Sequence, residues 1–65
     1  MEGVYYIENT YNEFSSYISG YFKTEAEAKE ALKECDDWYR PKGTGRIYFQ
    51  PFGLDKRREK VYENY

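Results

Sequence analysis

The sequence predicts a small α+β domain in the order ββαββ, with a three- to four-stranded, mainly antiparallel sheet and one helix packed on one of its faces. Three observations carry that prediction. A single stretch, Phe22 to Tyr39 (FKTEAEAKEALKECDDWY), has the start, face and stop signals of an amphipathic helix. The segments on either side are rich in β-branched and aromatic residues and are broken by turn formers. The connections are short, which keeps successive elements side by side. The 65 residues make a single domain, and at this size about 60% of the unfolded surface is buried, so the core is small and association with a second copy would relieve it.

Taken in order, Gly3 to Asn9 (GVYYIEN) reads as a first strand, and Asn9, Thr10, Asn12 and Glu13 supply a turn. Phe14 to Phe22 then alternates, with Phe14, Ser16, Ile18, Gly20 and Phe22 on one face and Ser15, Tyr17, Ser19 and Tyr21 on the other. The first set is the better core face, and Gly20 within it leaves room for a closely packed helix or permits a bulge. In the helix, Thr24 is an N-cap and Glu27 completes a capping box. Ala28, Ala31, Leu32, Cys35 and either Trp38 or Tyr39 form the apolar stripe, while Glu25, Lys29, Glu30, Lys33, Glu34 and Asp37 face water.

Pro41 stops helical propagation, and the glycines of Arg40 to Gly45 (RPKGTG) free the backbone for a loop. Arg46 to Phe52 is a third strand, with Ile47 and Phe49 facing one way and Arg46, Tyr48 and Gln50 the other; Pro51 ends it or sets it beside an edge. Gly53, Leu54 and Asp55 turn the chain, and Arg57 to Tyr65 returns as a fourth strand with Val61 inward and Arg58, Lys60 and Tyr62 outward. The rival for this last segment is a second helix over Lys56 to Tyr65, for which Val61 and Tyr62 make a poor stripe. The expected core is Ile7, Phe14, Ile18, Phe22, Ala28, Ala31, Leu32, Cys35, Ile47, Phe49 and Val61.

Nine tyrosines stand among the hydrophobic 40% of the chain, which suits surfaces that are apolar in body and wet at the tip. One cysteine and no histidine leave neither an internal disulfide nor the usual metal cluster within the chain, so no metal and no cofactor is expected. No run of about 18 apolar residues is present, and MEGVYYIEN has neither the basic stretch nor the apolar core of a secretion signal; the expectation is a cytoplasmic protein without a membrane partner. The net charge of −2 hides an asymmetry, because residues 1–37 carry nine acidic and three basic groups and residues 38–65 carry three acidic and seven basic ones. The C-terminal part is the place for an anionic partner, unless those charges only solvate strand ends.

One helix on one sheet face leaves the opposite face with Tyr6, Tyr17, Tyr21, Tyr48 and Tyr62, together with Arg46, Arg58 and Lys60. Such a face fits a protein partner or a second copy of the chain; the alternative is single-stranded nucleic acid or a nucleotide, since rings stack on bases and cations hold phosphates. The bland reading is that these rings are good strand formers that pack on one another. Lys42, Gly43, Thr44, Gly45 and Arg46 form a candidate anion-binding loop, although it lacks the P-loop order and leaves a helix instead of opening one, so an ordinary αβ connection competes with it. Glu34, Asp36 and Asp37 oppose the helix dipole and offer a docking patch, or are neutralised by Arg40 or Lys33. Cys35 falls on the apolar stripe and has no histidine to activate it, so no catalytic residue is assigned and the expectation is a protein that is not an enzyme.

The layout from the capping box through DWYRPKGTGRIYF resembles small uncharacterised proteins encoded by phages and mobile elements. That resemblance implies a compact protein that acts stoichiometrically, as some of these do by inhibiting host defence nucleases or by sequestering their nucleotide signals. It carries no functional residue across.

Overall fold

Antiparallel pairing organises the computed structural model, which describes residues 2–12, 15–36 and 41–64. The elements are β1 (Gly3–Asn12), β2 (Ser15–Phe22), α1 (Glu25–Lys33), β3 (Gly45–Pro51) and β4 (Glu59–Asn64). They form a single four-stranded sheet in the order β2-β1-β3-β4, with every neighbouring pair antiparallel. The ββαββ, α+β architecture read from the sequence is therefore the observed one, and the final segment is a strand, not a helix. Pro51 is the last residue of β3, where the central strand no longer needs its missing N–H.

The helix begins where its cap places it. The Thr24 hydroxyl accepts a hydrogen bond from the Glu27 backbone N–H at 3.1 Å and donates one to the Glu27 carboxylate, also at 3.1 Å. The carboxylate arm of the box thus closes on the hydroxyl. Ala28 and Leu32 turn inward onto Ile7 of β1 and Ile47 of β3, and these four are the fully buried apolar core among the described residues. Tyr5, Phe22, Ala31, Cys35 and Val61 pack around them, and Phe49 lies ring against ring with Tyr5, centroids 4.7 Å apart.

The structure corrects several expectations. The helix stops at Lys33 instead of approaching Tyr39. The Glu34 and Cys35 amides fall back to the tighter i−3 carbonyls of Ala31 and Leu32, and the Cys35 carbonyl is taken by the Gly43 N–H at 2.9 Å. Acidic Glu34 and Asp36 oppose continuation at the negative end of the helix dipole. Trp38 and Tyr39, proposed for the stripe, lie outside the described residues, as does Asp37. β1 runs on to Asn12, which pairs with Ser15, so Asn9 and Thr10 are strand residues and not part of a turn.

The largest correction is in β2. Ile7 pairs with Gly20 but Glu8 pairs with Ile18, so Ser19 is an extra residue, a bulge that moves everything before it to the other face. Ile18 therefore leaves the core side and is 44% exposed. Phe14, the other core residue expected from this alternation, lies outside the described residues. In place of Ile18, β2 turns Tyr17 to the core side opposite Asn9 of β1, which is completely buried and donates its Nδ2 hydrogen bond to the Ser19 hydroxyl at 2.9 Å. Gly20 makes room for the ring of Phe22 instead of for the helix.

Candidate functional site

The face of the sheet turned away from α1 is built from alternate residues of all four strands. Cross-strand register sets Tyr6 beside Tyr21 on β2 and beside Tyr48 on β3, and sets Glu8 beside Ile18 and Arg46. The rings of Tyr6 and Tyr48 are near parallel, 24° apart with centroids at 5.6 Å, and Tyr21 tilts against Tyr6 at 5.9 Å. Arg58, just before β4, reaches over this row. Its guanidinium carbon lies 4.0 Å from the Tyr48 ring centroid, and Nη1 donates to the Tyr6 hydroxyl at 3.0 Å and to both Glu8 carboxylate oxygens at 3.1 Å.

That arrangement explains an unexpected number. Tyr6 is only 7% exposed although no described helix or strand covers its face. Tyr21, Tyr48 and the Arg58 guanidinium bury it instead, so the ring at the centre is a floor, and the accessible aromatic is Tyr21, 63% exposed at the β2 side. The Arg58 guanidinium is raised further above its already high range by the hydrogen bond to Tyr6 and then by Glu8, so it stays charged and held. A cation over an aromatic ring with a carboxylate at its side is a rigid unit that presents a flat, mixed surface.

The remaining cations are also internally matched. Arg46 Nε and Lys60 Nζ each lie 3.2 Å from the Glu63 carboxylate. Lys60, followed by Arg46, draws the Glu63 carboxyl below its usual range. The three cations of the open face thus face Glu8 and Glu63.

Two of the expected face residues lie elsewhere. Tyr17 pairs with buried Asn9 and so belongs to the helix side, again because of the bulge at Ser19. Tyr62 pairs with Ile47, because another irregularity, at Val61, inserts an extra residue in β4. Its ring lies 4.9 Å from the Lys29 ammonium of α1, on the helix side. Lys29 is in turn held by Glu25 at 2.9 Å, a hydrogen bond that raises its pKa. Tyr6, Tyr21, Arg46, Tyr48, Arg58 and Lys60 do come together, joined by Ile18, Glu8 and Glu63. Alternation missed Ile18; Glu8 was legible as the alternate neighbour of Tyr6.

The loop at Lys42 to Arg46 is used up by the fold. Gly43 N–H bonds to Cys35 and Thr44 N–H to Pro41, the Thr44 hydroxyl donates to the Pro41 carbonyl at 2.8 Å, and Gly43 C=O accepts from Asn64 Nδ2 at 2.9 Å. Lys42 faces Glu34 at 3.7 Å; of the cations expected to neutralise this acidic end, Lys33 pairs with Glu30, and Arg40 lies outside the described residues. Gly43 at φ +84 makes the turn. Gly45, at φ +153, is enclosed by Asn9 and Leu32, where any Cβ would collide with the Asn9 amide oxygen. The segment is an αβ connection whose Gly43 and Thr44 amides are taken up by hydrogen bonds within the chain.

A concave region escaped the sequence. An open depression of 520 Å³ lies where α1 starts, lined by Tyr5, Lys23, Glu25, Phe49 and Phe52 among others. Phe52 is 65% exposed at its rim, and its amide extends the sheet by bonding to Glu2 C=O. Among the described residues, no group of three or more His, Cys, Asp or Glu side chains converges, and no helix is long and apolar enough to cross a membrane.

Compared with protein-family models, with curated proteins and with solved structures, the chain matches none.

Proposed function

We propose that the protein is a non-enzymatic binding module that docks a protein partner on the open face of its sheet. The observation that carries this reading is the exposure of Tyr21 and Ile18 beside a prearranged Tyr6–Tyr48–Arg58 unit. Tyrosine and arginine are the residues that dominate binding energy at protein interfaces, and rings already locked by neighbours lose little entropy on docking. Internal pairing of Arg46, Arg58 and Lys60 with Glu63 and Glu8 favours a protein over nucleic acid or a nucleotide, because a phosphate would have to displace a carboxylate from each cation. The reading as a protein that is not an enzyme is supported by Cys35, packed against the core in a chain without histidine. The cytoplasm is the proposed location, as suits a chain with a single thiol. The sequence resemblance to phage proteins adds inhibition of a host defence component as the proposed mode of action.

Affinity capture with the intact chain, followed by mass spectrometry, tests the reading. Tyr48→Ser and Tyr21→Ser are expected to lose a partner that the unaltered protein retains. Retention by both variants would sink it. Titration of a labelled oligonucleotide at two salt concentrations separates the alternative: binding that weakens steeply with salt would move the function to nucleic acid.

A further inference from the structure

The two edges of the sheet are built differently. β4 (EKVYEN) carries Glu59, Lys60 and Glu63, the charged residues that discourage another strand from adding to an edge. β2 (SSYISGYF) carries no charge and no proline, and it is the outermost strand on its side of the sheet. An uncharged edge strand of 8 residues is a place where another chain can add to the sheet.

We propose that two copies of this chain join β2 to β2, antiparallel, about a two-fold axis between Ser19 and Gly20. The bulge makes the strand complementary to itself. Register with β1 places Ile18 and Tyr21 on the open face, opposite Glu8 and Tyr6, and places Tyr17 and Phe22 on the helix side, opposite Asn9 and Tyr5. In a regular strand, residues three apart point to opposite faces; the extra residue at Ser19 brings Ile18 and Tyr21 to the same one. Opposed residues of an antiparallel pair share a face. With the axis between Ser19 and Gly20, Ile18 of one copy opposes Tyr21 of the second, and Tyr17 opposes Phe22. Both pairs match in face and in chemistry, β-branched against aromatic and aromatic against aromatic. A slip of one residue would set Ile18 against Gly20 or Phe22, which belong to the helix side, so the register is specified.

Charge permits the same arrangement, since Tyr17 to Phe22 contains no Asp, Glu, Lys or Arg that would face its like across the axis. Ile18 and Tyr21, 44% and 63% exposed, are the side chains such a joint would cover. The axis is perpendicular to the sheet, so both helices stay on one side and the two open faces become continuous on the other. A joint of one short strand is small and gives a reversible dimer, populated as concentration rises. This inference deepens the binding reading by naming a second copy as one partner of the same sheet, but it stands on the β2 edge and not on Tyr48.

Sedimentation velocity over a range of concentrations tests it. The unaltered chain is expected to pass from monomer to dimer, and Ile18→Lys to weaken the dimer by about tenfold or more, as a charge on an uncharged edge should, with the urea midpoint of the dilute monomer unchanged. In a Cys35→Ala background, Ile18→Cys protein mixed with Tyr21→Cys protein is expected to form a disulfide-linked pair faster than either does alone. A chain that stays monomeric at every concentration, a dimer indifferent to Ile18→Lys, or cross-linking fastest for Ile18→Cys by itself would each overturn the proposal. Capture of a foreign protein that Tyr48→Ser abolishes would survive any of those results, so the two readings fail separately.

Discussion

Ile7 and Tyr6 are neighbours on the same strand, are both buried, and are buried by different physics. Ile7 lies under α1, enclosed by Ala28, Leu32 and Ile47, where aliphatic contact removes it from water completely. Tyr6 lies on the opposite face, where no described element forms a second layer, and is covered sideways by Tyr48, Tyr21 and Arg58. The comparison shows how a small sheet can shield both faces with a single helix. One face is closed by packing, and the other by long side chains lying along it with their polar ends in water. The first arrangement is a core. The second leaves rings and a held cation at the surface, which is what a docking face requires.

Substitutions on the two faces should separate them, and the helix side should respond most. Leu32→Ala is expected to cost about 2 to 5 kcal/mol in urea melts, since it opens a cavity over Ile7 and Ile47, fully buried core residues. Glu30→Ala, on the wet side of the same helix, should stay within about 0.5 kcal/mol. A reversal of that order would mean that the wrong helical face has been turned to the sheet. On the open face, Arg58→Ala is expected to cost about 1 to 2 kcal/mol, because it removes the cover of Tyr48 and leaves the mostly buried Glu8 carboxylate without its cation. The accompanying readout is tyrosine fluorescence, which should change with Arg58→Ala and not with Glu30→Ala.

Smaller still is Tyr21→Ser, expected near 0.5 kcal/mol because only its contact with Tyr6 is lost from a ring that is largely exposed. If Tyr21→Ser destabilised the chain as much as Arg58→Ala, the exposed ring would be structural, and the distinction between floor and docking surface would disappear. The smallest effect is electrostatic. Glu63 has its pKa lowered in the folded chain, by Lys60 first and then Arg46, from an ordinary value of 4.5. A depressed folded pKa stabilises above the unfolded value, and that contribution is lost as pH falls through the folded one. Stability should therefore decline slightly below about pH 4.5, less steeply in Glu63→Gln, and the difference should shrink in high salt.

The features legible in the sequence were those decided by neighbours along the chain. Thr24 and Glu27 announce the helix start because a cap involves residues only three apart, and Ala28 and Leu32 announce its buried face because helical spacing is invariant. Gly43 and Pro41 mark the turn for similar local reasons. The alternation of β3 held throughout, so Ile47, Phe49, Arg46 and Tyr48 were placed on their correct faces. From these alone come the ββαββ order, the core under the helix and most of the open face.

Tertiary structure decided wherever pairing across strands overruled alternation along them. Gly20 permits a bulge in SSYISGYF, but nothing local selects Ser19 as the extra residue; the slip exists because β1 matches Gly20 to Ile7 and yet brings Ile18 to Glu8. A one-residue slip reverses every face before it, so it sent Ile18 outward and Tyr17 inward, and the irregularity at Val61 did the same to Tyr62. The end of α1 was settled in the same way, by Gly43 taking the Cys35 carbonyl after the chain had folded back. Side-chain period belongs to the single strand and can be read from it, whereas register belongs to the pair and is known only when the partner is in place.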